Sequence, residues 1–198
     1  TLLLAVYSFQ ACNTSSNNND SVDSAQNMNE MKDSDNNMGM NNNDTAMKGT
    51  MTVSEDDADF MVKAAAGGMT EIEMSKLGQQ KATAASVKSF ADMMVTDHTK
   101  AAGELKSLAA RKNVTLPASM DNDQQKDYND LSQKSGKDFD KAYINMMVAD
   151  HKHDVDMFDK CTKKDNSDAD LKAWAQNTLP TLQKHLDAVK KIDDMMKK

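Results

Sequence analysis

Residues 90–105 read FADMMVTDHTKAAGEL, and residues 143–158 read YINMMVADHKHDVDMF. The two segments share an aromatic first residue, the run Met-Met-Val and the pair Asp-His, all at identical spacing. The aromatic residue, the second methionine and the histidine follow one another at intervals of four, so they lie on one face of a helix. Each segment therefore predicts an amphipathic helix that turns a histidine, His98 or His151, toward the interior.

Apolar periodicity over the rest of the chain predicts three further helices. Together with the two helices of the repeat, the predicted ranges are about 55–79, 83–112, 120–134 and 137–163, of which 120–134 is a short helix. A last helix runs from the cap at Ser167-Asp168 to about residue 196. Ser54 opens the first helix with a capping pattern, Ser-Glu-Asp-Asp. Long helices joined by short loops predict an antiparallel four-helix bundle over residues 54–198, with one extra short helix before the third long helix.

Gly67 and Gly68 stand in the middle of the first predicted helix. Each glycine costs a helix interior about 1 kcal/mol relative to alanine. Residues 64–68 are all small, and we expect another backbone to approach closely at this face. Glu71 follows Gly67 by one turn and lies on the same face.

The composition limits the classes of protein to which the chain can belong. Its 198 residues carry a formal net charge of −7 and include 2 prolines and 5% aromatic residues. Few prolines and abundant Ala, Met and Lys favour helix over sheet. Nucleic acid is excluded as a partner, because its binding relies on basic patches that neutralise phosphates. No apolar run is long enough to span a bilayer as a mature helix.

The first eleven residues, TLLLAVYSFQA, are apolar and end in a small residue directly before Cys12. This pattern is typical of a bacterial lipoprotein signal, from which Phe9 and Gln10 depart. We expect residues 1–12 to be a signal segment that ends at a lipidated Cys12, which anchors the protein to a membrane. An ordinary secretory signal or a chance apolar start are the alternatives. The expected location is the bacterial cell envelope, as a periplasmic or outer-membrane lipoprotein that meets an envelope protein partner.

Residues 13–53 are rich in Asn, Asp, Ser and Met and show no apolar period. Such a segment buries too little apolar surface to offset its ordering entropy, which predicts a disordered tether. Its methionines, at positions 28, 31, 38, 40, 47 and 51, offer thioether sulfur that suits Cu(I). A copper-handling protein with a Met-rich tether is therefore one hypothesis for the function.

The motifs FMVKAAAGGMTEIEMSKLG, VKSFADMMVTDH, SGKDFDKAYINMMVADH and LPTLQKHL occur in this order along the chain. Together they closely resemble the DUF4142 family, a domain of unknown function in bacterial envelope proteins, from about residue 56 to residue 192. The resemblance implies a ferritin-like four-helix bundle, secreted or anchored in the envelope, and no established activity. The family-typical polar positions that it implies in this chain are Glu71, Asp97, His98, Asp150, His151 and His185.

Three histidines fall at similar heights in the predicted bundle. If the second and third long helices are antiparallel neighbours, His98 and His151 lie within a turn or two of each other, and His185 lies near that level. Glu71 falls about two turns away. Three imidazoles, with Glu71 as a candidate fourth ligand, suit Zn(II), Cu(II) or Ni(II). Each histidine taken alone is better explained as a core residue that is hydrogen-bonded across the bundle.

A di-iron centre fits this pattern less well. Such a centre needs paired Glu-x-x-His motifs and further inward glutamates, which the sequence lacks. Asp97 and Asp150 each precede a histidine and point about 100° away from it on a helix. We therefore expect both aspartates at the edge of the site or paired with lysines.

The sequence favours a non-enzymatic protein, since it contains no Gly-rich phosphate loop and no nucleophile with a base at a recognisable spacing. The leading hypothesis is an envelope lipoprotein whose interior His cluster binds a metal ion, a small ligand or a protein partner. A metal-dependent enzyme or redox protein that uses the same cluster is the alternative from a different class. The sequence leaves the identity of the cofactor open.

Overall fold

A computed structural model describes residues 21–37 and 51–197, and the regular elements in these two ranges are all α-helices. Their bounds are α1 (Ser21–Asn37), α2 (Glu55–Lys81), α3 (Ala85–Lys112), α4 (Asn122–Ser132), α5 (Gly136–Lys163) and α6 (Ala169–Met196). The predicted all-α fold is confirmed, and α4 takes the place of the predicted short helix. No helix in these ranges combines the length and the apolar character that a membrane span requires.

Side chains satisfy the first backbone N–H groups of α2, α4 and α6. Ser54 caps α2, with a hydrogen bond of 3.2 Å from the backbone of the first turn, and Asp168 caps α6. The start of α3 has no capping side chain of its own. Asp140 of α5 fixes the two residues just before α3 instead, because its carboxylate accepts hydrogen bonds from the backbone N–H groups of Thr83 at 3.0 Å and Ala84 at 2.9 Å.

The four long helices pack in the ring order α2, α3, α6, α5. The main contacts join α2 to α3 and α5 to α6, and smaller ones join α2 to α5 and α3 to α6. Two apolar clusters fill the bundle: one joins the starts of α2 and α6 to the ends of α3 and α5, and the other joins the opposite ends. Neighbouring helices are therefore antiparallel, while α3 and α5 run in the same direction across a diagonal. The connection from α3 to α5 returns along the bundle and carries α4.

The prediction of a disordered tether over residues 13–53 is wrong for residues 21–37, which form α1 against α2. Asn29 explains the docking: its amide donates to the Thr115 carbonyl at 2.9 Å and accepts from the Thr115 N–H at 2.8 Å. The bundle also begins earlier than residue 54, since Met51 is buried in the core. Cys12 and the methionines at 38, 40 and 47 lie outside the described residues.

The double glycine does not mark a close approach of two backbones, contrary to the prediction. A Cβ added at Gly68 meets no atom within 4 Å, and one at Gly67 meets only a carboxylate oxygen of Asp154, at 3.8 Å. Gly78 is the crowded position instead. A Cβ there would lie 2.8 Å from the Ala91 Cβ and 3.3 Å from the Tyr143 ring. Residues 67 and 68 therefore border open space next to the candidate site.

Alanine substitutions distinguish the crowded position, Gly78, from the open position, Gly68. Gly78→Ala is expected to lower the free energy of unfolding by about 1 to 3 kcal/mol, because α2 and α3 must move apart to admit the methyl group. Gly68→Ala is expected to raise it by up to about 1 kcal/mol, through the better helix propensity of alanine. Urea unfolding followed by circular dichroism measures both, and equal shifts in the same direction would contradict the packing.

Candidate metal centre

The four predicted site residues meet at mid-height in the bundle, one from each long helix. Glu71 comes from α2, His98 from α3, His151 from α5 and His185 from α6. The side chains are buried: His151 and His185 are 0% exposed, Glu71 2% and His98 6%. The ring centroids of the three histidines are 5.3 to 5.6 Å apart. The structure therefore places three imidazoles and one carboxylate in direct contact.

Helix periodicity turns His98 and His151 inward. In each copy of the repeated segment the methionine one turn earlier, Met94 or Met147, is also buried, with 0% exposure. The two histidines face each other across the bundle axis because α3 and α5 lie on a diagonal. The expectation that these two helices are antiparallel neighbours is wrong, and they reach a common level because they run in parallel.

Glu71 bridges two of the histidines. Its Oε2 lies 3.1 Å from His98 Nδ1, and its Oε1 lies 3.1 Å from His151 Nδ1. His151 Nδ1 also lies 2.9 Å from the backbone carbonyl oxygen of Met147. The expected offset of Glu71 by two turns is wrong, since α2 places the carboxyl at the level of the imidazoles.

Asp97 holds the third histidine. The Asp97 Oδ2 lies 2.9 Å from His185 Nε2, so the imidazole N–H donates to this carboxylate. Asp97 is 34% exposed, whereas His185 is fully buried. The aspartate before His98 therefore reaches around to a histidine of α6 at the edge of the site, and no lysine in the described part of the chain pairs with it.

These partners determine which ring nitrogens carry protons. The Met147 carbonyl oxygen can only accept, so His151 carries its proton on Nδ1 and leaves a lone pair on Nε2. His185 carries its proton on Nε2, toward Asp97, and leaves a lone pair on Nδ1. The two lone-pair nitrogens face each other at 3.4 Å. His98 Nε2 is buried and has no hydrogen-bond partner among the described residues.

Nitrogen atoms of the three rings lie close together. One nitrogen from each of His98, His151 and His185 lies within 4.8 Å of the other two. Nδ1 of the first two faces Glu71 and Nε2 of the third faces Asp97. The unpartnered Nε2 of His98, with His151 Nε2 and His185 Nδ1, is therefore the set of nitrogens left available to a ligand.

Burial keeps the imidazoles neutral. It lowers the pKa of His98 well below its usual range, with help from the other two rings. The pKa of His151 is lowered to about 4 by burial and by His185. Burial also lowers the pKa of His185, although Asp97 opposes the shift. Neutral imidazole is the form that ligates a metal ion.

A pair of buried carboxyls lies behind the histidines. Burial raises the pKa of Glu71 well above its usual range, and Asp154 and Asp150 raise it further. The pKa of Asp154 is raised to about 7 by burial and by Asp150. Asp154 adjoins Glu71 and contributes to the rise in its pKa, so burial disfavours ionising the two carboxyls together.

Open space lies on both sides of this carboxyl pair. A cavity of about 40 Å³ adjoins His98 and His185. A wider groove of about 440 Å³ lies on the far side, along Gly67, Asp150 and the exposed His153. Glu71 and Asp154 line both spaces. Gly68 lines the cavity, which accounts for the open space next to its Cα.

The profile of DUF4142, a domain of unknown function, matches residues 42–192. This chain belongs to the DUF4142 family. The family predicted from the sequence motifs is thereby confirmed, and no activity comes with it. No curated protein matches the chain.

Two solved structures share the fold of this DUF4142 chain. A DUF305 fragment from Deinococcus radiodurans superposes with a TM-score of 0.64 at 9% identity, over 72% of this chain and 98% of its own. A DUF305 protein from Streptomyces coelicolor, described as secreted, gives a TM-score of 0.60 at 12% identity, over 71% and 92%. At such identities the likeness concerns the fold alone.

Asp154 was not predicted as a site residue from the sequence, although it contacts Glu71 and lines both the cavity and the outer groove. A signal was present, because Asp154 follows His151 by three residues and so lies one turn further along the same face of α5. Asp150, expected at the edge of the site, borders the outer groove, and burial raises its pKa to about 6.

The tautomers can be observed directly. In metal-free protein at pH 7 we expect His151 to be neutral with its proton on Nδ1, and His185 to be neutral with its proton on Nε2, because their partners accept at those atoms. Two-bond ¹H–¹⁵N correlation spectra of ¹⁵N-histidine protein distinguish the forms. His151 is expected to stay neutral until the pH approaches 4. An imidazolium pattern for either ring at pH 7 would contradict the assignment.

Proposed function

We propose that the bundle binds one divalent transition-metal ion through His98, His151 and His185. The observation that carries the proposal is the pair of lone-pair nitrogens, His151 Nε2 and His185 Nδ1, that face each other at 3.4 Å with His98 Nε2 unpartnered beside them. Buried acceptors that face one another without a donor are costly. A cation at their centre removes that cost.

The geometry suits a four-coordinate ion. Metal–nitrogen bonds of about 2.05 Å in a tetrahedral site separate two ligand nitrogens by about 3.3 Å. His151 Nε2 and His185 Nδ1 are already at 3.4 Å. Three neutral imidazoles leave one coordination position open, and this donor set favours Zn(II), Cu(II) or Ni(II) over Mg(II) or Ca(II). A di-iron centre has little support, since Glu71 is the one carboxylate among the described residues that forms an ion-pair contact with the imidazoles of α3 and α5.

Glu71 and Asp97 then act as orienting residues. A metal-bound histidine commonly donates its second N–H to a carboxylate, which fixes the tautomer and the ring orientation. Asp97 does so for His185, and Glu71, 3.1 Å from Nδ1 of both His98 and His151, lies within reach of the same role. A cation among the imidazoles also offsets the burial that raises the pKa of Glu71, and so favours its ionised form. Glu71, first considered as a fourth ligand, is proposed in this supporting role.

The proposal also covers the architecture of the bundle and the cellular location of the protein. One long crossover connection between α3 and α5 supports a ferritin-like bundle. The resemblance of the N-terminal residues to a lipoprotein signal, with Cys12 as the acceptor, supports an envelope protein tied to a membrane, where a protein partner is expected. A structural neighbour described as secreted is consistent with that location.

Two alternatives remain as proposals. A metal-dependent enzyme or redox protein would use the open coordination position of the same site. A copper-handling role would use the methionines before the bundle, and Met28 and Met31 favour it because both lie exposed on α1, at 53% and 59%. Met51 cannot contribute to such a site without leaving the core, where it is 4% exposed.

Elemental analysis of the full chain, stripped with chelator and reloaded with Zn(II) without a histidine tag, tests the proposal. We expect about one equivalent in the wild type and in His153→Ala, the matched control on the exposed side of α5. His151→Ala is expected to lose the ion, because only two histidine ligands remain and the deleted ring leaves an empty space in place of the third. Glu71→Gln is expected to weaken binding about 10- to 100-fold, the range found for supporting carboxylates.

Folding of each variant is checked by circular dichroism, so that loss of metal is not confused with unfolding. Full occupancy in folded His151→Ala would contradict the bundle site. Cu(I) binding that survives His151→Ala and disappears in Met28→Leu with Met31→Leu would instead support the copper-handling alternative.

A further inference from the structure

The cavity beside the histidines is small and mainly apolar. Its volume is about 40 Å³, and it is lined by His98, His185 and large side chains that include Leu105, Phe158 and Leu182. A buried space needs roughly 10 to 15 Å³ of this measure for each water-sized occupant. By this measure the cavity has room for about three water-sized occupants.

Within the described ranges, three side chains that line this cavity carry buried polar atoms without a hydrogen-bond partner: Glu71, His98 and Trp174. His98 is 6% exposed, and its Nε2 is bonded to nothing within the described ranges. Trp174 lines the same space, and its Nε1–H is likewise buried without an acceptor there. Thr178 and Thr181 also line the cavity but are half-buried, so they form its outer end. One end of the cavity thus offers a metal-binding nitrogen, and its wall offers a hydrogen-bond donor.

We propose that this cavity admits an external ligand of two or three heavy atoms to the open coordination position of the metal ion, with Trp174 as its hydrogen-bond donor. The inference rests on the proposed function, because the ligand binds to the ion held by the histidines. The ligand class is a small linear anion or a diatomic molecule with a lone pair at each end. One coordination bond forms, and no covalent bond breaks.

The volume of the cavity determines which ligands can reach the metal ion. Azide has three atoms in a line and fits the available length. Imidazole, a common metal ligand of comparable strength, has five ring atoms and exceeds the volume. Gly68 borders the cavity, and its Cα faces open space. A leucine side chain at that position therefore projects into the cavity without disturbing the helix, in which leucine is favourable.

The test uses full-length protein loaded with Co(II), whose visible absorption reports on its ligands. We expect azide to change the spectrum to saturation and imidazole to leave it unchanged. Gly68→Leu is expected to keep the Co(II) and to weaken azide binding at least about ten-fold. Gly103→Leu is the matched control, because Gly103 is exposed on α3 with equally open space and does not line the cavity. It should behave as the wild type.

Trp174→Phe keeps the ring and removes the N–H group. It is expected to weaken azide binding about five-fold, the usual contribution of one hydrogen bond. If Gly68→Leu fails to bind Co(II), this second variant provides the test of the cavity. Wild-type protein that binds no Co(II) overturns both this inference and the proposed function. Protein that binds Co(II) and ignores azide, or that binds imidazole as readily as azide, overturns this inference alone.

Discussion

The rest of the structure depends on one constraint: three neutral imidazoles are buried against one another in the middle of a helical bundle. The facing nitrogens of two of them, His151 Nε2 and His185 Nδ1, are acceptors without a donor, and each such buried acceptor costs about 1 to 3 kcal/mol. The Met147 carbonyl and Asp97 oppose relief of this cost by rotation or tautomer exchange, since they hold the outer N–H groups of these two rings. A cation at the centre would remove the cost, so the arrangement resembles a binding site more than a packed core.

The two apolar clusters explain why the bundle tolerates this polar layer. One cluster lies on each side of the site, with Phe90 and Tyr143 on one side and Phe158 on the other. Because the clusters hold the four helices together, the layer between them need not contribute to stability. The diagonal placement of α3 and α5 gives the repeated segments equivalent surroundings. The other diagonal differs, since α2 supplies Glu71 where α6 supplies His185.

Local features of the sequence predicted most of the fold. Helix bounds followed from caps such as Ser54 and Asp168, and the inward histidines followed from the four-residue spacing of the repeat. The ring order of the helices did not follow, because it depends on how the α3–α5 connection crosses the bundle, which periodicity cannot reveal. The level of Glu71 was misjudged because it was counted from an approximate helix end, and α2 extends to Lys81. Helix α1 was missed because its docking relies on single polar contacts such as that of Asn29, which composition does not reveal.

Anomalous X-ray diffraction from crystals loaded with Zn(II), recorded on both sides of the zinc absorption edge, tests the central claim most directly. We expect one strong peak in the bundle, about 2.0 to 2.1 Å from His98 Nε2, His151 Nε2 and His185 Nδ1. Glu71 is expected to remain next to Nδ1 of the first two rings. A peak elsewhere on the protein, or imidazoles that keep their present contacts with no ion among them, would contradict the claim.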